Sequence, residues 1–362
     1  MEKLKLYTQE NLDKLRKLGD PLADQAVLDL ITHPDIVSLI NSYQNFPSES
    51  DWSGFPLSVQ KYFQSFSRQV EFLDEKKIVL AQEYFSQNGH FYLSMLGFYS
   101  LPYCYAFADG AQVLVRSKRI TEESGKRLAE TALFLLDCFK PGGFLGDDKH
   151  ALLSIAKVRL IHAFSRYFVG KYATDWQEAW GLPINQEDMI GTNLSFSLLV
   201  IRGMEKLKKS TGQNVYLAVF HYWKVIGAYL GLDTRFWPEN PKEAFELEKM
   251  IRKRHLRPSE AGKILIRSLL SFYEEDIPNP QMAKAAESLV SFFVGNQVSE
   301  ALDIQQILPL RSEPVRLLLE FNFWKDGNSK MSYSKIRSQF LCRQKEKFPE
   351  GLSLSVPLVN RS

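Results

Sequence analysis

Apolar residues recur every three to four positions over most of the chain. That spacing is close to one turn of an α-helix and predicts an all-α fold. The clearest runs are 121–139, 149–171, 186–209 and 213–231. Their ends carry start and stop signals. TEES (121–124) is a capping start, and KPGGFLGDD (140–148) is a break after which Asp147 or Asp148 can cap the next helix. Pro183 blocks helix before 186, Asn185 is a favourable N-cap, and Glu187 and Asp188 suit the positive end of the dipole. Alternation of period two is scarce. AQVLVRS (111–117) is the best strand candidate and fits a helix equally well. Residues 40–58, rich in Asn, Ser and Pro, predict a loop, and the fading periodicity from about 345 predicts poor order. The pattern divides the chain into an N-terminal helical segment (1–85), a core (86–310) and a partly irregular C-terminal extension (311–362).

Composition sets limits on function. The 362 residues are 45% apolar and 13% aromatic, enough to fill a sizeable core. A net charge of +3 is too mild to argue for a nucleic-acid or anionic-membrane partner. Cys104, Cys138 and Cys342 are odd in number and far apart, which argues against a disulfide framework and for a reducing compartment. The N-terminal residues lack the apolar core of a signal peptide. No run approaches the roughly 18 apolar residues of a membrane span. The expectation is a soluble cytoplasmic protein with no transmembrane segment.

Most familiar chemical motifs are missing. There is no G-x-G-x-x-G, Walker A, G-x-S-x-G or H-E-x-x-H pattern, and no cysteine pair at zinc spacing. A di-iron bundle needs two E-x-x-H units; the nearest approach is Asp147-x-x-His150, which reads as a helix start. RKRHLR (252–257) reads as a solvated helix end, with no aromatic platform for nucleic acid. His33, His90, His221 and His255 lack companions at metal spacing and read as structural.

VRLIHAFSRYF (158–168) is different. At about 100° per residue, Arg159 lies about +60° and Arg166 about +40° from His162, on a side shared with Ile155, Val158 and Val169. Leu153, Leu160 and Phe164 cover the opposite side, so the helix is apolar nearly all round and belongs inside. Buried arginines need partners, because an unpaired buried charge costs several kcal/mol. One reading is a satisfied core network, with His162 bonded to a carbonyl and both arginines paired to acids of other helices. The other is a haem site, with His162 as proximal iron ligand and the arginines neutralising propionates. Upstream, RLAETALF (127–134) places Arg127 and Thr131 at i and i+4 with Glu130 at i+3. This is either a surface ion pair beside a threonine, or a cation, a hydroxyl and a carboxylate facing bound dioxygen.

Five stretches together resemble the rubber oxygenases (latex clearing protein) and the ER-bound oxygenases that share their catalytic domain. They are YCYAFADGAQVLVRS, RLAETALF, KVRLIHAFSRYF, GLPINQEDMIGTNLSFSLLVIRGM and YLAVFHYWKVIGAYLGLDTRFWP, in family order. The resemblance implies a globin-like helical core around haem b, with His162 as the proximal ligand and Arg127 and Thr131 on the oxygen side. It implies dioxygen-dependent cleavage of carbon–carbon double bonds in an apolar, isoprenoid-like substrate. Two positions depart from the family. Glu130 stands where rubber oxygenase has a lysine able to reach the iron, and Ala111 stands where it has a glutamate proposed as base, with Asp109 and Gln112 as neighbours. Both departures leave iron binding in place and put the cleavage mechanism in doubt. The alternatives are a haem-binding sensor or carrier without turnover, and a cofactor-free helical interaction protein. Thr192 and Phe196 are expected simply to pack inward, and Trp223, Gly227 and Gly231 to permit close helix packing.

Overall fold

The computed structural model describes residues 3–116, 124–209, 211–276, 280–323 and 332–359. Among them the fold is all helical, with a lone β-bridge between Phe107 and Leu256 and no strand. The N-terminal part holds α1 (Gln9–Leu15), α2 (Pro21–Leu30), α3 (Pro34–Ser42), α4 (Glu49–Trp52), α5 (Leu57–Ser67) and α6 (Glu75–Met95). A π-helical turn, Leu96–Ser100, joins α6 to α7 (Leu101–Tyr105), followed by α8 (Ala108–Val115) and α9 (Ser124–Cys138). The middle holds α10 (His150–Tyr172), α11 (Gln186–Lys206), α12 (Gln213–Tyr229) and α13 (Pro241–His255). Then come α14 (Glu260–Asp276), α15 (Pro280–Val294), α16 (Asn296–Leu302), α17 (Ser312–Phe323) and α18 (Tyr333–Lys347).

Helix α10 lies at the centre because it has no polar face long enough to meet water. Leu153, Ile155, Leu160, Ile161 and Phe164 are all buried on it. It packs against α2, α9 and α12, while α11 packs on α12, α13 and the π-helical turn. The apolar contacts form one continuous cluster that reaches from Tyr7 to Val356. No helix among the described residues is long and apolar enough to cross a membrane.

The predicted boundaries can be compared with the observed ones. Asn185 caps α11 as its sequence suggests, accepting from the Asp188 N–H at 3.0 Å. The start of α10 is different. Its N-cap is Lys149 in a left-handed conformation (φ +42°), and Asp148 Oδ1 accepts from the His150 N–H at 3.3 Å. The TEES capping start falls at Thr121–Glu123, outside the described residues. Of AQVLVRS, residues 111–115 are helical, in α8, which packs against α14 rather than against a strand partner; Ser117 lies outside the described residues. The predicted loop at 40–58 contains the end of α3 and all of α4, which a Ser48–Asp51 capping box stabilises.

The C-terminal segment corrects the expectation of poor order. Residues 349–359 have no regular structure, yet Asn41 clamps them. Its Oδ1 accepts from the Val356 N–H at 2.8 Å and its Nδ2 donates to the Val356 carbonyl at 2.9 Å. Leu354 and Val356 are buried. Tertiary bonds replace the local periodicity that the segment lacks.

Candidate functional site

An apolar cavity of about 240 Å³ lies between α8, α9, α10, α11 and α14, with Leu354 of the C-terminal segment on its wall. His162 of α10 lines it together with Val158 and Ile161, one turn and one residue away. Protein surrounds the imidazole, and the surface it keeps open faces the cavity. Nδ1 is buried without a hydrogen-bond partner, and no hydrogen bond to Nε2 occurs among the described residues. Burial, with Arg166 and Arg127 nearby, drives its pKa down to about 3. The ring is therefore neutral at ordinary pH and keeps a lone pair for a ligand outside the protein.

Arg127, Glu130 and Thr131 of α9 line the same cavity. Their i, i+3, i+4 spacing puts all three on one face of the helix. The Arg127 guanidinium stands 3.6 Å from the Glu130 carboxylate, and Thr131 donates its hydroxyl to the Arg127 carbonyl at 2.9 Å. Glu130 is buried whereas Arg127 is partly open. The cavity thus has a cation, a carboxylate and a hydroxyl on one helix and an unpartnered imidazole on another.

The two arginines of α10 have acids close at hand. Arg159 holds Asp20, the N-cap of α2, through two bonds of 2.6 and 2.8 Å, and its third nitrogen donates to the Tyr229 carbonyl at 3.2 Å. Its guanidinium also lies over the Tyr62 ring at 5.5 Å. Arg166 donates to Asp24 at 2.6 Å and to the Ile184 carbonyl at 3.3 Å, leaving Nη2 buried without a partner. Neither arginine is among the residues that line the cavity. Gly231 makes room for the Arg159–Asp20 pair. Its φ is +86°, and a Cβ there would stand 2.5 Å from Asp20 Oδ2 and 3.0 Å from Arg159 Nε. The two readings of the helix therefore divide: the arginines follow the core network and the histidine does not.

Two features escaped the sequence reading. The first is RKRHLR, expected as a solvated helix end. Arg254 and His255 are instead buried in an ion cluster. His255 bridges Asp109 at 3.2 Å and Glu187 at 3.0 Å, and Arg254 holds Glu187 at 2.7 Å and Asp13 at 2.8 Å. Burial alone would lower the His255 pKa, but the bonds to Asp109 and Glu187 raise it overall. Arg16 joins this cluster, reaching Asp188 at 3.0 Å and Glu187 at 3.4 Å. The cause of the miss is that the run turns its inner face to acids far away in sequence. The second feature is Asp188. Helix-dipole logic explained it, yet Asp188 is among the residues that line the cavity, with Thr192 and Phe196 at i+4 and i+8 on α11. Burial pushes its pKa up, with Arg16 pulling against that. The same i, i+4 spacing that marked Arg127 and Thr131 was the available signal.

The residues fit a macrocyclic iron group. Among the described residues no group of three or more His, Cys, Asp or Glu side chains could hold a metal ion. A metal at His162 would need most of its donors from its own cofactor, as haem provides. A neutral imidazole set in an apolar wall suits that role, although its buried Nδ1 lacks the partner that an iron-bound histidine commonly has.

Comparison with known proteins follows the same line. No curated protein matches. Among solved structures, the structure of latex clearing protein LCP in the closed state is similar, with a TM-score of 0.71 and 18% identity. The match covers 91% of this chain and 90% of that one, and it shows a shared fold. The family described as ER-bound oxygenase mpaB/B'/Rubber oxygenase, catalytic domain, matches residues 105–321, which include α9, α10, α11 and most of the wall of the His162 cavity. The chain belongs to this oxygenase family.

Proposed function

We propose that the chain is a haem b-dependent oxygenase acting on an apolar, isoprenoid-like substrate. The observation that carries this reading is His162, a neutral imidazole that faces an apolar cavity and has no protein partner. His162 would hold the iron, while Arg166, tied to Asp24 and the Ile184 carbonyl and absent from the cavity wall, braces α10 from behind. Each nitrogen of Arg159 has a partner, and the residue acts by fixing α2 against α10. Haem, when bound, supplies the redox chemistry that lets dioxygen oxidise the substrate.

The chain's own residues do the rest. The Arg127 guanidinium offers hydrogen bonds to negative charge developing on oxygen, where the apolar wall makes such bonds strong, and Thr131 adds one only by turning its hydroxyl away from the Arg127 carbonyl. Glu130 balances the Arg127 charge and can hold a proton at its carboxylate. The apolar residues exclude water and orient a double bond. Cleavage of one carbon–carbon double bond by one dioxygen gives two carbonyls, with both oxygen atoms in the products and no net proton uptake.

The test is a visible spectrum of protein expressed with a haem precursor. The expected result is a haem band at one equivalent, lost in His162→Ala. Absence of haem, or the same haem content in His162→Ala, would overturn the reading. Oxygen uptake with unsaturated isoprenoids then checks turnover. A haem-loaded protein that consumes no oxygen across a broad panel would favour a sensor or carrier.

A further inference from the structure

The apolar cavity has two polar places. One is the Arg127–Glu130–Thr131 face of α9. The other, Asp188 and Thr192 on α11, has no part in the function proposed above. Its cost needs an explanation, because a carboxylate on an apolar wall pays heavily for lost solvation.

The hydrogen bonds at this second place can be counted. Asp188 Oδ1 accepts from Arg16 at 3.0 Å, and Oδ2 accepts from the Asn185 amide at 2.7 Å. A carboxylate has about four acceptor sites, so about two remain. The other Asn185 amide proton goes to the Leu182 carbonyl at 2.9 Å. Thr192, open to the cavity, gives its hydroxyl proton to the Asp188 carbonyl at 2.8 Å, which leaves its oxygen as an acceptor that the Cys104 thiol shares. The nearby Cys104 thiol donates to Ser195 at 3.2 Å. The patch therefore presents acceptors, and its own donors are spent. Arg16 is itself held by Glu187 and by the Trp180 carbonyl, so the carboxylate is fixed from behind.

We propose that the substrate of this cavity is an apolar, isoprenoid-like molecule that ends in a hydroxyl, and that Asp188 and Thr192 accept its hydrogen bond. This rests on the reading of the cavity as a substrate site. A carboxylate or phosphate head would meet lone pairs there. A bare hydrocarbon would leave the acceptors facing alkane. Asp188 is in this sense a specificity-determining residue.

The experiment is calorimetric titration of the purified full-length protein, with the cofactor it carries, against three ligands of equal length. They are farnesol, the corresponding acid and the corresponding hydrocarbon. A hydrogen bond to a charged acceptor predicts that farnesol binds about tenfold or more tightly than either competitor. Asp188→Asn should cut that preference to about threefold or less, chiefly by weakening farnesol. Thr192→Val removes the second acceptor, keeps the volume, and should reduce the preference by about threefold. It also serves where Asp188→Asn fails to fold. Equal binding of all three ligands, tighter binding of the acid, or an unchanged preference in both variants would overturn this inference alone. Failure of all three to bind would overturn the substrate-site reading together with it.

Discussion

His162 and His255 are both enclosed by protein, and they titrate in opposite directions. Burial pushes both imidazoles toward the neutral form. At His162 Arg166 and Arg127 reinforce it, Asp20 opposes it only weakly, and the pKa falls to about 3. At His255 two carboxylates, Asp109 and Glu187, sit on the two ring nitrogens, and the pKa rises despite burial. The difference teaches that depth does not decide a histidine's charge; its partners do. A chain that can surround one imidazole with acids has left the other bare where it faces a cavity.

The strongest way to break this comparison is to remove each ring. His255→Leu removes two charge-assisted hydrogen bonds from Asp109 and Glu187, which keep Arg257, Arg254 and Arg16, and should cost about 2–3 kcal/mol in urea unfolding at pH 7. His162→Leu in haem-free protein removes no hydrogen-bond partner and should change stability by less than about 1.5 kcal/mol. Similar losses in the two variants would end the contrast. Asp20→Ala tests the arginine side of the network. It leaves Arg159 unpaired and should cost about 3 kcal/mol by the same measurement. Gly231→Ala forces a side chain into a left-handed position against Asp20 and should cost about 2 kcal/mol.

In pH dependence the two histidines give opposite signs. Unfolded His162 takes a proton near 6.5, while the folded one does not until about 3. Its term therefore lowers stability as pH falls below 6.5, by up to about 1.4 kcal/mol per pH unit. His162→Leu should flatten that acid limb. His255 has a raised folded pKa, so its stabilisation is full below 6.5 and is lost as pH rises through the folded value. His255→Leu should remove that loss on the alkaline side. Denaturation midpoints from pH 4.5 to 8.5 read both slopes, and identical slopes in the two variants would contradict the assignment.

The contrast also marks where sequence reasoning reaches. Helix α10, its capping neighbours and the Arg127–Thr131 face are local patterns, legible from spacing. That Arg159 meets Asp20 and His255 meets Asp109 is not, because the partners stand more than a hundred residues apart and no period links them. Asp188 shows a subtler limit. One sufficient explanation, the helix dipole, hid a second one that only the cavity wall makes visible. The C-terminal segment has no periodicity at all, and its place depends on the side-chain clamp at Asn41 and the burial of Leu354 and Val356.

Leu354 on the cavity wall has a thermodynamic consequence. The wall draws on residues from Leu101 to Leu354, so the cavity exists only when the chain from α7 to the C-terminal segment is assembled. A ligand seated there binds the native state and has little to hold in partly unfolded forms. Occupancy and global stability are then a single linked quantity, and a bound ligand at one hundred times its Kd would add about 2.7 kcal/mol to the unfolding free energy of the entire chain.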